Sequence, residues 1–284
     1  MHSRPSVAWI GLGHIGLPMA QRVQAAGFGL AVWARRREAA APVVDAGAPW
    51  FADPAALVRH SDIVCTCVGG PDDVHELHES LMPFARPGTL FVDLSTAAPG
   101  TAVESARRAS SLGLQVLDAP VTGGVAGAAR GMLTALVGGE PAALERARPV
   151  LASFCQRIVA CGSAGSGYRV KLINQTLVAG VLLGLADAAM LARAAGIDAV
   201  ELKDALGGGT AASFLFESYL PRMMSGDGPA TFTLGLLRKD LRLARAEALE
   251  CGARTLLVDT ALSAIDGACR RFGDAAGVQM LAAS

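Results

Sequence analysis

Two groups of residues in this chain have the types and spacing to do chemistry. The first is Gly11-Leu12-Gly13-His14-Ile15-Gly16, which comes directly after the apolar run 7–10. In a G-x-G-x-x-G turn between a strand and a helix, Gly11 permits the tight turn, Gly13 lets the backbone approach a pyrophosphate, and Gly16 lets the helix pack on the strand. The start of that helix, residues 14–17, then aims free N–H groups at the anion. The second group is Gly165-Ser166-Gly167 with Lys171, Asn174 and Gln175 beyond it. On a helix beginning near Gly167 these three polar residues stand three and four apart and project to one side. Their spacing alone fits either a place for acid/base chemistry or a solvated surface lysine with two amides nearby. Taken together, a dinucleotide cradle and an acid/base site suggest a nicotinamide-dependent oxidoreductase.

The choice of dinucleotide depends on the end of the second strand, Leu30-Ala31-Val32-Trp33-Ala34-Arg35-Arg36-Arg37. An NAD enzyme usually places Asp or Glu there to bond the ribose hydroxyls. Ala34 takes that place here, and Arg35 and Arg36 can form charge-assisted bonds to a 2′-phosphate. NADP(H) is therefore favoured over NAD(H). Three arginines that merely solvate a helix start would explain the charge but not the missing acid. Of the loop residues, His14 contributes its backbone, because the x positions of this turn point outward.

The elements that must position these groups emerge from hydrophobic periodicity. Residues 7–10, 30–33, 63–68, 90–94, 115–118 and 134–137 are strand candidates, and 17–26, 38–46, 72–82 and 101–112 are helix candidates. That alternation implies an α/β fold with a doubly wound, mostly parallel sheet. After Gly167 strand signals give way to helix at 168–195, 199–206, 212–224, 234–251 and 254–271. The expected organisation is a Rossmann-like dinucleotide-binding domain at 1–164, a long interdomain helix at 165–195 and an all-helical substrate or oligomerisation domain at 196–284. The long helix would run roughly 45 Å, enough to leave the first domain and enter the core of the second. Gly180, Gly184, Ala188 and Ala192 recur at i+4 along it, fitting either internal packing or a subunit contact.

Composition narrows the partners. With 284 residues, 52% of them hydrophobic, the chain can bury the cores of about two domains. Lys+Arg equals Asp+Glu at 25 each. No global field then draws nucleic acid or an anionic membrane, so a small molecule is the expected partner. The amino end Met1-His2-Ser3-Arg4-Pro5-Ser6 has no apolar h-region, which makes the cytoplasm the expected location. The apolar stretch 172–195 is interrupted by Asn174, Gln175, Asp187 and Arg193 and reads as a buried helix, not a membrane span. Cys65, Cys67, Cys155, Cys161, Cys251 and Cys269 show no C-x-x-C pair and read as buried reduced thiols, Cys65 and Cys67 on one sheet face. His75-Glu76-Leu77-His78-Glu79 is not H-E-x-x-H and has no apparent third ligand, so no metal site is expected.

Four segments read together resemble the β-hydroxyacid dehydrogenase family, the group of 3-hydroxyisobutyrate dehydrogenase, tartronate semialdehyde reductase and the glyoxylate/succinic semialdehyde reductases. They are 11–20, Asp118-Ala119-Pro120-Val121-Thr122-Gly123-Gly124, Gly165-Ser166-Gly167 with Lys171-Leu172-Ile173-Asn174, and Lys239-Asp240-Leu241-Arg242-Leu243-Ala244. The match covers nearly the whole chain in the expected order. It implies a Rossmann-like domain, a long connecting helix and a 6-phosphogluconate dehydrogenase-like helical domain, with the active site in the cleft between them and assembly as a homo-oligomer. By this resemblance Lys171 is the catalytic lysine, Thr96 lies near the nicotinamide, and Val68 and Lys239 contact the cofactor. Thr122, Gly123 and Gly124 hold the substrate carboxylate, Asn174 and Gln175 contact substrate, and Phe232 and Asp240 belong to the segment that closes the cleft.

Two departures from the family pattern bear on specificity. Thr122 replaces the usual Ser and adds a methyl that narrows the pocket. Gln175 replaces the second Asn of an Asn-Asn pair and moves its amide one methylene outward, which implies a substrate of different size. As hydride reaches a carbonyl carbon, negative charge grows on oxygen, and a protonated Lys171 would stabilise it and supply the proton. With an ordinary lysine pKa of about 10.4, reduction suits neutral pH, and oxidation gains more from alkaline pH. Two other readings share the architecture: imine reduction, whose relatives typically lack the lysine, and a silent binding module, which would be expected to have lost the lysine or the glycine loop.

Overall fold

The computed structural model describes residues 4–283; residues 1–3 of the amino-terminal stretch, and Ser284, lie outside the described residues. The chain divides into two compact units, the first ending at Lys171 and the second beginning at Leu172. In order, the first unit holds β1 (Ser6–Ile10), α1 (Gly16–Ala25), β2 (Gly29–Trp33), α2 (Ala41–Val44), α3 (Pro54–Arg59), β3 (Ile63–Thr66), α4 (Pro71–Leu81), β4 (Leu90–Asp93), α5 (Pro99–Ser111), β5 (Gln115–Asp118), β6 (Val121–Thr122), α6 (Gly124–Arg130), β7 (Leu133–Gly139), α7 (Pro141–Leu151) and β8 (Cys155–Gly162). Helix α8 (Ser166–Ala195) crosses the division, and α9 (Ala199–Leu206), α10 (Phe214–Ser225), α11 (Leu234–Glu250) and α12 (Val258–Phe272) complete the second unit.

The sheet runs β2-β1-β3-β4-β5-β7-β6, with β8 pairing β7. Strands β1 to β5 are mutually parallel, β7 meets β5 and β6 antiparallel, and β8 runs parallel to β7. Burial on both faces explains why these strands are continuous apolar runs and not alternating ones. Val7, Trp9, Ile63, Cys65, Leu90, Val92 and Leu117 join one core with Met19 and Val23 of α1 and Leu144 of α7. The intervening Ala8, Ile10, Val64, Phe91 and Val116 join another with Leu57 and Val58 of α3. Trp9 meets Phe154 edge-on at 5.8 Å and 86°, a geometry that adds to their area burial.

The six expected strands and three of the four expected helices of this unit are present; in place of the helix expected at 38–46, residues 37–40 form a 3-10 turn and 41–44 the short α2. Helices α3, α6 and α7 and strands β6 and β8 were not read from the sequence. Helix α3 did carry a start signal: Asp53 accepts from Ala55 N–H at 2.9 Å and Ala56 N–H at 3.3 Å, with Pro54 at the first helical position. Strand β8 is an edge strand whose Gln156 and Arg157 are exposed, and its apolar residues 158–161 are only partly buried or exposed. The expectation for the cysteines needs correcting. None of the six is in a disulfide, but Cys251 is exposed and Cys67 and Cys161 are half-buried. Strand β3 ends at Thr66, so Cys67 already belongs to the loop beyond it.

In the second unit, Ala179, Leu182, Leu185, Ala186 and Ala189 of α8 pack with Phe216, Leu220, Leu237, Leu241 and Ile265. Side-chain caps start three of the helices: Asp198 for α9, Ser213 for α10 and Thr233 for α11. Helix α8 is long and apolar enough to cross a membrane by length and composition, with 33% of its most apolar window buried. The expectation of a buried helix therefore holds for one face only. Ile173, Leu177 and Leu191 are 59%, 68% and 71% exposed. The small-residue stripe also divides. A Cβ at Gly180 would lie 2.9 Å from Leu257 Cδ2, whereas at Gly184 it would meet nothing within 4 Å.

Candidate active site

The glycine loop leaves β1 at the carboxyl end of the parallel strands, and its three glycines differ in what surrounds them. Gly11 has φ +98°, and a Cβ there would lie 2.1 Å from the Cys67 carbonyl oxygen. At Gly16 it would lie 2.2 Å from the Gly11 carbonyl oxygen. Both glycines are required by the protein's own packing. Gly13 is different: a Cβ there would meet nothing within 4 Å. That open backbone, leading at once into the start of α1, is what a pyrophosphate would approach. His14 is exposed as expected, but Leu12 points into the core, so the expectation that the x positions of the turn point outward holds for His14 and not for Leu12. Ile15 occupies the cap position of α1.

Neighbouring loops converge on the same end of the sheet. The Val68 N–H donates to Ser95 Oγ at 2.9 Å, tying the loop after β3 to the loop after β4 that carries Thr96. At the end of β2, Ala34 is buried while Arg35 and Arg36 are exposed. Arg35 stands 4.0 Å from Asp73 of α4, an exposed pair too weak to commit the guanidinium. Thr122 ends β6, and Gly123 and Gly124, at φ +127° and +67°, turn the chain into α6.

The start of α8 is fixed by two buried carboxylates that stand opposite each other in the β4/β5 register, Asp93 and Asp118. Asp118 Oδ1 accepts from Gly165 N–H at 2.8 Å and Oδ2 from Tyr168 N–H at 2.9 Å. Burial pushes the Asp118 carboxyl up to about 6, against the opposing pull of the N–H groups of Gly165, Tyr168 and Gly167. Asp93 accepts from the Tyr168 hydroxyl at 2.7 Å, from Ser95 N–H at 2.8 Å and from the Thr66 hydroxyl. Burial, with the nearby Asp93, holds the Tyr168 phenol well above its usual range, so it stays a donor. Lys171 stands on the next turn and is only 8% exposed, a rare state for lysine.

Beyond Lys171 the predicted residues form a connected polar chain in the second unit. Asn174 Nδ2 donates to Gln175 Oε1 at 2.9 Å, Gln175 Nε2 donates to Asp240 Oδ2 at 2.5 Å, and Lys239 Nζ lies 3.0 Å from Asp240 Oδ1. Gln175 and Asp240 are both buried. The extra methylene of Gln175 thus lets its amide reach α11. Phe232 packs on the core of this unit just before α11. Among the histidines, His78 is buried with Nδ1 on Ser105 Oγ at 2.8 Å and its ring edge-on to Phe91. Sequence reasoning assigned no role to Thr66, Asp93, Asp118 or Tyr168. The available signal was a carboxylate closing each of two neighbouring apolar strands, and a tyrosine at the head of an apolar helix.

A dinucleotide-binding sheet joined through one long helix to a helical unit defines a class of nicotinamide-dependent oxidoreductases. Residues 6–162 match the family described as the NAD binding domain of 6-phosphogluconate dehydrogenase. Residues 165–283 match that described as NAD-binding of NADP-dependent 3-hydroxyisobutyrate dehydrogenase. The NAD-dependent L-serine dehydrogenase of Pseudomonas aeruginosa is 35% identical, over 90% of this chain and 90% of its own. Among solved structures, Mycobacterium tuberculosis 3-hydroxyisobutyrate dehydrogenase with L-serine has a TM-score of 0.88 at 30% identity, covering 99% of both chains. Psf3 in complex with NADP+ and 2-OPP has a TM-score of 0.92 at 28% identity, covering 98% of this chain and 99% of its own. The chain belongs to the β-hydroxyacid dehydrogenase family, the 3-hydroxyisobutyrate dehydrogenase-like oxidoreductases that use NAD(P).

The loop geometry separates two glycine substitutions. Gly13→Ala should leave stability within about 0.5 kcal/mol of the native protein, being unobstructed and away from the core, yet weaken NAD(P)H binding in a fluorescence titration. Gly16→Ala should lower the unfolding midpoint sharply. Unchanged NAD(P)H affinity in Gly13→Ala would show that the pyrophosphate lies elsewhere.

Proposed function

We propose that this enzyme transfers hydride between NADP(H) and a small 3-hydroxyacid or its semialdehyde, with Lys171 as general acid/base. The observation that carries the reading is a buried lysine one turn into a helix whose first turn is anchored by Asp118. When bound, the nicotinamide supplies or accepts the hydride at the carbonyl carbon. Lys171, as ammonium, stabilises the charge that grows on the carbonyl oxygen and gives it a proton; in oxidation the neutral amine takes that proton back. The backbone at Thr122, Gly123 and Gly124 suits a carboxylate, since two of these residues bring no side chain. Asn174 and Gln175 order the polar chain that ends at Asp240 and Lys239. L-Serine, named with two of the relatives above, is itself a 3-hydroxyacid and belongs in the substrate class. Lys171 favours this chemistry over imine reduction.

Support for NADP(H) comes from this chain's own residues: Ala34 in place of an acid, and two exposed arginines after it. The name of one relative specifies NAD and another structure holds NADP+, so the arginines are the deciding feature. Self-association is the remaining part of the proposal. The exposed Ile173, Leu177 and Leu191 lie on one face of α8 with the open Gly184. Large apolar side chains exposed along one helix face suit an interaction surface. An antiparallel, two-fold contact would lay Ile173 and Leu177 of one copy over Ala188 and Gly184 of the other, large against small.

Three measurements check these statements. A panel of short 3-hydroxyacids, L-serine included, and their semialdehydes should show turnover that falls about 10²–10⁴-fold in Lys171→Ala; equal turnover in that variant removes the acid/base role. Replacing Arg35 and Arg36 together with alanine should raise KM for NADPH roughly tenfold to a hundredfold while leaving NADH nearly unaffected. A native preference for NADH would contradict the assignment. Leu177→Glu should reduce the mass seen by light scattering at micromolar protein, and an unaltered mass would place the subunit contact elsewhere.

A further inference from the structure

We propose that Asp118 is a positioning residue for the reaction: its ionised carboxylate anchors the first turn of α8 and thereby fixes where the Lys171 ammonium stands. The proposal rests on the reading of Lys171 as general acid/base. The first N–H groups of a helix have no partner within it, and those of α8 are collected by a side chain 47 to 50 residues earlier in sequence. The site fits a two-carbon acid closely. A Cβ at Gly138 would lie 2.6 Å from Asp118 Oδ1, and one at Gly167 would lie 2.8 Å from Oδ2. A longer acid has no room, and the neutral amide of Asn would turn an N–H donor toward other donors. Lys171 lies three residues past Tyr168, about 4.5 Å further along the axis, so tilting the first turn moves the amine directly.

The anchor also has a titration range. Burial raises the Asp118 carboxyl to about 6, so it is ionised at neutral pH and takes up a proton as pH falls through that value. Protonation converts one acceptor oxygen into a donor facing backbone N–H groups. The groups facing Asp118 are Tyr168 from α8, Asp93 from β4 and Cys161 from β8. Tyr168 and Cys161 are held in their neutral forms by burial, so neither changes charge there. Lowering the pH leaves a protonated lysine protonated. A fall in reductive turnover below pH 6 is therefore opposite to anything Lys171 would produce, and its disappearance in Asp118→Asn assigns it to that carboxylate and not to Asp93.

The experiment compares native enzyme, Asp118→Asn, Tyr168→Phe and Lys171→Ala, using kcat for carbonyl reduction from pH 5 to 8 and amide-exchange protection factors for residues 165–170. Native kcat should drop about tenfold from pH 7 to pH 5, with protection of 165–170 falling in parallel. Asp118→Asn should lose roughly tenfold to a hundredfold in kcat at pH 7.5, the scale of a small misplacement of a reacting group. Its profile should be flat from pH 5 to 7 and its 165–170 amides less protected, with NADPH affinity retained. Tyr168→Phe keeps the backbone N–H groups on Asp118 and should keep the acidic limb. An Asp118→Asn enzyme with the native limb, or with native protection at 165–170, overturns the proposal. Should that variant fail to fold, native protection factors that do not change between pH 5 and 7 overturn it instead. Unchanged turnover in Lys171→Ala would refute the lysine's role while the exchange data still decide whether Asp118 anchors the helix.

Discussion

At the carboxyl ends of the parallel strands this protein brings backbone against backbone more closely than any side chain permits. Gly11 lies against the carbonyl of Cys67, Gly16 against that of Gly11, and Gly167 against those of Leu136 and Asp118, each at a separation that a single methyl group would close. Glycine at these places weakens the chain's local preferences and costs conformational entropy on folding. What the molecule gains is a surface on which main-chain groups, and not side chains, face a ligand at Gly13, and a long helix whose first turn is seated directly on the sheet.

Seating that helix requires polar groups in the interior, and the two units solve this differently. In the first, Asp93 and Asp118 accept from backbone and hydroxyl donors, so each buried acid is surrounded by donors from neighbouring segments. In the second, Gln175 donates to one oxygen of Asp240 and Lys239 stands as counter-charge beside the other. Buried carboxylates without such partners would cost several kcal/mol each. Both arrangements lie along α8 or at its head, which makes that helix the common reference for the two polar groups.

Much of this was legible in the sequence, for physical reasons. The strands of the nucleotide-binding sheet are apolar on both faces and stood out as short β-branched runs. The glycine loop declared itself by lying between such a run and a helix. The helices of the second unit were found with boundaries close to those observed, because their caps and apolar spacing are local signals. Of the pieces that escaped, the two-residue β6, the exposed edge strand β8 and the glycine-rich α6 depend on tertiary partners, whereas α3 and α7 carried a local start signal, a proline at the first helical position. The polar anchoring of α8 was also hidden. Asp118 was visible as part of a motif, but its bonds run to Gly165 and Tyr168, and nothing local announces a contact across so many residues. The exposed face of α8 escaped for the converse reason: a largely apolar composition says how much could be buried, not how much is.

The cradle formed by Asp118, Gly138 and Gly167 also has a consequence for how such a chain can be recombined. The compositional seam at residue 164 looks like a natural crossover point, yet a cut there would part the helix from the acid and the glycine that receive it. The first compact unit instead extends to Lys171. A chimera that preserves the native seating must therefore inherit the opening turns of α8 together with its sheet, and exchange only the chain beyond them.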